Sequence, residues 1–365
     1  MQLQQSSTFE MMEREEFEEI VFFHDSSTGL KAIVAIHDTT LGPALGGTRM
    51  WSYRSELDAL RDVMRLAKAM TYKAAAAGLS FGGGKGVIIG DPKRDKSEVL
   101  LRSYGRYVQS LGGRFITAED VGTTLEDMRV LMSETRHVAG TSIDPSPFTA
   151  YGVYCGIKAC LEYVFGDESL DGVHVAVQGV GKVGGELVRL LLESGARVTV
   201  TDVDASRVRR FIELGASYVE PGKIYSVQCD VFSPCALGGV LNDSTVKRLR
   251  CSIVAGAANN QLESESVAER LSNLGILYAP DYIINAGGLI AVAKEYECAR
   301  RGREPSTEEI MRDVERIRDR LEEVFRMSES SMGEEMVITT SRAAEMLARR
   351  RIEEARRLKG IYLPD

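Results

Sequence analysis

Two lysines and one carboxylate stand in settings that could move protons. Lys73 lies near the end of a long helical pattern, in MTYKAAAAGL. Lys85 lies in FGGGKGVI, with three glycines before it and one after, so no neighbouring side chain shields it. An ammonium at the mouth of a buried strand must find a partner or lose its proton. A phosphate-binding reading of GGGK fails: the first glycine of that motif would fall on Leu79, and the lysine is followed by Gly86 rather than Ser or Thr. The order is also helix–loop–strand, the reverse of what that motif needs. Asp120, in TAEDVGT with Glu119 beside it, is the candidate acid at a strand end. A carboxylate there is often only a cap; a sheltered lysine and a dinucleotide motif elsewhere in the chain favour chemistry.

A second constellation points to a dinucleotide. Gly179-Val-Gly181-Lys-Val-Gly184 follows a predicted strand and opens a predicted helix, and Asp202 ends the next strand 18 residues after Gly184. Gly179 permits the tight turn, Gly181 lets backbone amides approach a pyrophosphate, and Gly184 lets helix and strand pack closely. The helix N-terminus offers free N–H donors. Asp202 would accept bonds from the adenosine ribose hydroxyls and repel a 2′-phosphate, which favours NAD over NADP. The competing reading is a domain of this type that no longer holds a nucleotide.

The elements that must position these residues follow from patterning. Leu30–Asp38 (LKAIVAIHD) reads as a buried strand, and LGPALGGTR, positions 41–49, as a turn-rich segment broken by Gly and Pro. Ser55 caps a helix whose Leu57, Leu60, Val63, Met64, Ala67 and Met70 share a face, with Gly78 as its stop. FGGGKG reads as a loop leading into VIIG; positions 91–113 read as a helix and RFITAEDVGT as a strand running into a polar loop. PSPFTAY, positions 145–151, reads as a hinge because two prolines interrupt regular structure. Beyond it strands and helices alternate, with strands at HVAVQG, RVTVTD, CDVFS, SIVAG, ILYAP and the segment leading to INAGG. That rhythm predicts a doubly wound parallel sheet. EEIMRDVERIRDRLEEVF reads as one helix burying Ile310, Val314, Ile317, Leu321 and Val324, and the charged last 25 or so residues as an exposed helix.

Composition narrows the class. The chain has 365 residues, 44% of them hydrophobic and 27% charged, which excludes disordered and fibrous classes. With 45 Lys plus Arg against 53 Asp plus Glu, it lacks a global basic field for nucleic acid or an anionic membrane. No apolar run approaches the ~18 residues that would span a bilayer. Six cysteines without CxxC spacing read as reduced thiols rather than disulfides or metal ligands. The expectation is a cytoplasmic protein without a metal.

PALGGTR, MTYK, GGGK with its apolar strand, TAEDVGT, GVGKVG, AANNQL and YAPDYIINAGG occur in this order from about Phe22 to about Glu297. In that order they resemble the leucine, valine and phenylalanine dehydrogenases of the glutamate dehydrogenase superfamily, most nearly the leucine type. The resemblance implies an α/β fold of two domains around a cleft. Residues 1–145 would bind substrate and build the oligomer, 146–325 would form a Rossmann NAD-binding domain, and 326–365 would be helical and pack back on the first. It implies a homo-oligomer, dimer or octamer, and reversible NAD-dependent deamination of an L-amino acid to a 2-oxo acid and ammonia. Lys73 would clamp the substrate carboxylate, with the backbone of Gly46 and Gly47 beside it. Lys85 would be the general base that activates water, and Asp120 would handle protons on the substrate nitrogen. Asn260 would lie near substrate and nicotinamide, and Gly179, Gly181, Gly184, Asp202 and Asn285 would line the cofactor side. Leu45, Ala118, Leu289 and Val292 would form an apolar side-chain pocket unsuited to glutamate. That pocket suits leucine, valine or isoleucine, with an aromatic or other bulky amino acid as the alternative suggested by Leu289. A catalytically silent NAD-binding protein is the remaining alternative, and intact Lys73, Lys85 and Asp120 count against it.

Overall fold

The computed structural model describes residues 7–330, 338–358 and 362–364. The chain forms two compact units: residues 1–143, 292–304 and 348–365, and residues 144–291 and 305–347.

The first unit begins with α1 (Thr8–Glu15), β1 (Glu19–Asp25), β2 (Leu30–Asp38) and β3 (Ala44–Trp51). It continues through α2 (Glu56–Ala76), β4 (Gly82–Ile89), α3 (Glu98–Ser110), β5 (Phe115–Glu119) and α4 (Leu125–Met132). The sheet order is β1-β2-β4-β3-β5. β2 runs antiparallel to β1 and β4, whereas β3 is parallel to β4 and β5. Two helices cover opposite faces. Val63, Met64 and Ala67 of α2 pack with Ile33, Ala35 and Val87, while Leu101, Tyr104 and Val108 of α3 pack with Val34, Ile88 and Phe115. Side chains alternate across a strand, so Leu45, Gly47, Arg49, Lys85 and Ala118 point to the α2 face.

Two segments read as loops are strands. PALGGTR lies almost wholly in β3, and GGGKG lies within β4, both near the middle of the sheet. The glycines are there because their neighbours come too close for a side chain. A Cβ on Gly83 would sit 2.1 Å from the backbone nitrogen of Thr71 on α2. A Cβ on Gly84 would meet Phe115 at 2.9 Å and Ala44 at 3.0 Å. Tertiary contact overrides the low strand propensity of glycine.

α2 itself starts as expected, with the Ser55 side chain accepting from Asp58 N–H. Its far end is tied by Arg351, whose guanidinium donates to the carbonyls of Ala75 and Gly78 at 2.8 Å each. That cation sits at the C-terminal end of the helix, where positive charge is favourable. Arg356 pairs with the buried Asp38 at 2.6 Å. The helix expected over positions 91–113 begins only at Glu98, because Ser97 caps it and Asp91–Asp95 closes a turn.

The second unit opens with α5 (Ser146–Phe165), β6 (His174–Gln178), α6 (Lys182–Glu193), β7 (Arg197–Thr201) and α7 (Ala205–Glu213). β8 (Ser217–Tyr218), β9 (Val231–Pro234), α8 (Asp243–Val246), β10 (Ile253–Val254), α9 (Glu265–Asn273) and β11 (Leu277–Tyr278) follow. α10 (Asp281–Ile284), α11 (Gly287–Arg300), α12 (Thr307–Glu315), α13 (Ile317–Glu329) and α14 (Thr340–Arg356) complete the chain. The sheet is parallel, in the order β11-β10-β9-β6-β7-β8. That is the doubly wound Rossmann order, with its reversal point between β6 and β9.

Three expectations are corrected here. PSPFTAY does not interrupt structure: Pro145 is the cap and Pro147 falls in the first turn of α5, where its missing donor costs nothing. The segment leading to INAGG is helical after Leu277–Tyr278, not a further strand. The charged helix is two helices, α12 and α13, divided at Arg316, although its five apolar residues are all buried. Among the described residues no helix is long and apolar enough to cross a membrane, and no cluster of three metal-ligating side chains occurs.

The closeness of α2 and β4 is testable. Gly83→Ala should destabilise the protein by about 3 kcal/mol, because the added methyl meets backbone rather than a yielding side chain. An unchanged urea midpoint would show that the helix does not press on this strand.

Candidate active site

The first unit brings Lys85 and Asp120 together. Lys85 is buried in β4, and its Nζ lies 3.1 Å from Asp120 Oδ1. Asp120 follows β5 in a tight turn. Its N–H donates to Thr123 Oγ1 at 2.9 Å, and that hydroxyl lies 2.9 Å from the Thr48 carbonyl. A Cβ on Gly47 would sit 2.9 Å from the Asp120 Cβ, so glycine is what lets this carboxylate approach β3. Burial pushes the Lys85 amine below its ordinary range, Asp120 opposes that shift, and Arg49 adds to it.

Sequence reasoning gave Arg49 and Asp62 no role. Arg49 Nε donates to Asp120 Oδ2 at 2.8 Å, and its Nη1 to Asp62 Oδ2 at 3.0 Å. Asp62 on α2 also accepts from Tyr53 at 2.7 Å and from Arg65 at 2.8 Å. The available signal was Arg49 itself, the last residue of PALGGTR. What it touches depends on the β3–β5 register, which pairs Thr48 with Glu119.

The other expected substrate residues distribute as follows. Leu45 is buried and Ala118 half-buried, both on the α2 face of the sheet. Gly46 has no room for a Cβ, which would meet the Gly84 carbonyl at 1.8 Å and Met70 at 3.5 Å. Lys73, half-buried, stands in the last turn of α2, three residues beyond Met70. Val292 is buried in the first unit, and a Cβ on Gly140 would touch it at 3.5 Å. Leu289, half-buried on α11, belongs to the second unit.

The second unit assembles the glycine turn at the reversal point of its sheet. Gly179 has φ +94°, and a Cβ there would lie 2.7 Å from Ala236, just past β9. A Cβ on Gly184 would lie 2.0 Å from the Gly179 carbonyl. A Cβ on Gly181 would meet nothing within 4 Å. Gly181 caps α6 without any side-chain bond to the first-turn amides. Open space before uncapped N–H groups is the cradle a pyrophosphate fits. Asp202 is nearly buried, its Oδ2 accepting from Val180 N–H and its Oδ1 from Asp204 N–H, each at 2.9 Å. Each oxygen keeps a lone pair for a ribose hydroxyl.

Asn260 is exposed, with φ +50°, in a loop wired from beneath. Asn285 is buried and donates to Asn259 Oδ1 at 2.9 Å and to the Ala257 carbonyl at 3.2 Å. Gln261 is fully buried and donates to the carbonyls of Gly256 and Ala258. Asn285 therefore braces the AANN loop. Gln261, which the sequence did not single out, does the same.

Models of the family match both units. The Glu/Leu/Phe/Val dehydrogenase dimerisation domain matches residues 17–137, and the Glutamate/Leucine/Phenylalanine/Valine dehydrogenase domain matches residues 200–360. The chain belongs to this family. Leucine dehydrogenase of Thermoactinomyces intermedius is 50% identical over 98% of this chain and 96% of its own. Phenylalanine dehydrogenase of Bacillus thermotolerans is 45% identical over 95% and 91%. The crystal structure of L-tryptophan dehydrogenase from Nostoc punctiforme superposes with a TM-score of 0.85, at 45% identity, covering 95% of this chain and 99% of that one. The chain is an amino-acid dehydrogenase, of a family that depends on NAD(P).

The glycine geometry separates binding from folding. Gly181→Ala should change stability by no more than about 1 kcal/mol, as expected for a small change at a helix cap. It should weaken NAD binding by about tenfold or more, measured by calorimetry. Unaltered affinity would place the pyrophosphate elsewhere.

Proposed function

We propose that the protein catalyses the reversible, NAD-dependent oxidative deamination of a branched-chain aliphatic L-amino acid to its 2-oxo acid and ammonia. The observation that carries this reading is the buried Lys85 amine 3.1 Å from Asp120, on the sheet face that also presents Leu45 and Ala118. An amine held partly desolvated beside one carboxylate can exist neutral near working pH and take a proton.

In this reading Lys73 holds the substrate carboxylate as a point charge, beside the Gly46 and Gly47 backbone, where no side chain intrudes. Asp120 accepts a proton from the substrate ammonium, leaving a neutral amine. NAD, when bound, supplies the acceptor for the α-hydride. Gly179, Gly181 and Gly184 hold its pyrophosphate side, Asp202 its ribose, and Asn260 and Asn285 belong to the nicotinamide side. Neutral Lys85 takes a proton from water as the oxygen bonds to the iminium carbon of the substrate. The carbinolamine then loses ammonia, giving the 2-oxo acid. The same groups run reductive amination in reverse.

Leu45, Ala118, Leu289 and Val292 are all apolar and would strand the side-chain carboxylate of glutamate. Asp202, with Asp204 two residues on, disfavours a 2′-phosphate and so supports NAD over NADP. The match to the family's dimerisation domain supports a homo-oligomer, dimer or octamer. Residues 1–145, 146–325 and 326–365 are proposed as the substrate, dinucleotide and returning C-terminal segments, with a cytoplasmic location. A second reading, an aromatic substrate, is favoured by the similarity to tryptophan and phenylalanine dehydrogenases.

A panel of leucine, valine, isoleucine, phenylalanine and tryptophan with NAD and NADP, followed by absorbance of the reduced dinucleotide, decides between them. The highest kcat/KM should fall on an aliphatic member with NAD. A clear preference for tryptophan or phenylalanine would establish the second reading instead, and no turnover of any would end both. Lys85→Ala should lose about a thousandfold in kcat while the NAD dissociation constant stays within about twofold. Equal loss in both would show that Lys85 holds the fold of the site rather than the proton.

A further inference from the structure

We propose that Arg49, held by Asp62, is a positioning residue of the site: it turns the Asp120 carboxylate toward Lys85 and offsets its charge. The inference rests on the proton-accepting role proposed for Lys85.

Asp120 has two oxygens and gives one to each cation. Oδ1 lies 3.1 Å from Lys85 Nζ, and Oδ2 accepts from Arg49 Nε at 2.8 Å. Its main chain is fixed by Thr123, so the remaining freedom is rotation of the carboxylate, which Arg49 removes. Arg49 cannot swing away, because its other arm is bonded to Asp62 at 3.0 Å. Asp62 in turn is oriented by Tyr53 and Arg65. The chain of contacts runs from α2 through β3 to the turn after β5.

The charge balance explains why such a clamp matters. A carboxylate 3.1 Å from a buried amine strengthens its hold on the proton, and a cation on the far oxygen weakens that hold. Asp120 favours the charged amine, Arg49 disfavours it, and Asp62 favours it again, while burial disfavours it most. The other groups on this face do not replace Arg49. His37 on β2 is pushed down by burial to about 4 and bonded to Thr71, so it is neutral at working pH. Lys68 on α2 is paired with Glu15, and Lys73, in the last turn of α2, is assigned to the substrate. Arg49 is the fixed cation that offsets part of the hold Asp120 has on the Lys85 proton.

The test is the pH dependence of kcat/KM in the full-length enzyme with the amino acid it turns over. Wild type is compared with Arg49→Gln, Arg49→Lys and Asp62→Asn. The substrate's own ionisation is common to all four and cancels. Arg49→Gln should move the acid limb to higher pH by about one unit, an approximately tenfold loss at fixed pH below the limb that is recovered at alkaline pH. Arg49→Lys keeps the charge without the fork and should lower kcat with a smaller displacement. Asp62→Asn can still accept from Arg49 but removes a negative charge, so its limb should move to lower pH. Opposite displacements for Arg49→Gln and Asp62→Asn are the signature. A pH-independent loss in both, or displacement in the same direction, would reduce the cluster to a brace and overturn the proposal. Should Arg49→Gln fail to fold, Asp62→Asn decides by itself: a limb that stays in place or moves to higher pH would overturn the proposal. Separately, a Lys85→Ala enzyme with undiminished rate and an unaltered acid limb would strike the underlying role of Lys85, not the clamp alone.

Discussion

The close approach of α2 to the glycine strand β4 is the constraint on which the first unit depends. Gly83 lets the helix backbone rest on the strand, and Met70 of the helix comes over Gly46. This contact takes the Lys85 amine out of water. Away from water, an ammonium is governed by the few charges within reach, among them Asp120, Arg49 and Asp62. The glycine-rich stretch is therefore not a flexible loop that happens to carry a lysine. It is a strand kept bare so that a helix can bury one.

The opposite face of the same sheet shows what ordinary stabilisation looks like. There Thr48, Tyr104 and Thr117 share a fully buried hydroxyl cluster at 2.6–2.7 Å, within a continuous apolar core. Every polar group in that trio has a partner, as buried hydroxyls require. One layer thus has two characters. The α3 side is closed and satisfied, and the α2 side holds a cation, Lys85, paired with an Asp120 carboxylate that Arg49 also binds.

The second unit solves a different problem with backbone geometry. Gly179 bends past Ala236, Gly184 clears the Gly179 carbonyl, and Gly181 leaves open space before an uncapped helix. Asp202 closes the turn by taking the Val180 amide. In the same unit the AANN loop is braced by two buried amides, Gln261 and Asn285. The family to which the chain belongs includes relatives named for leucine, phenylalanine and tryptophan at similar identity. That spread fits one family reaction whose substrate preference turns on a few side chains, since one methylene in an apolar pocket is worth only about 1–3 kcal/mol.

Local chemistry was legible because it is local. The Gly179–Gly184 turn, its strand and helix, the Ser55 cap and the apolar face of α2 each depend on residues within one or two turns of one another. The ordered motifs were enough to point to the family. The strands at PALGGTR and GGGKG were not legible, since glycine carries almost no strand preference and the reason for it lies on a helix packed from elsewhere. Nor was the clamp: Arg49, Asp62 and Asp120 meet only through the register of β3 with β5 and the seat of α2. Residue order alone shows which side chains are available and what turn would cradle a phosphate. Which amine is dry and which charges it feels follows only from packing, because desolvation and Coulomb interactions are set by neighbours distant in the chain.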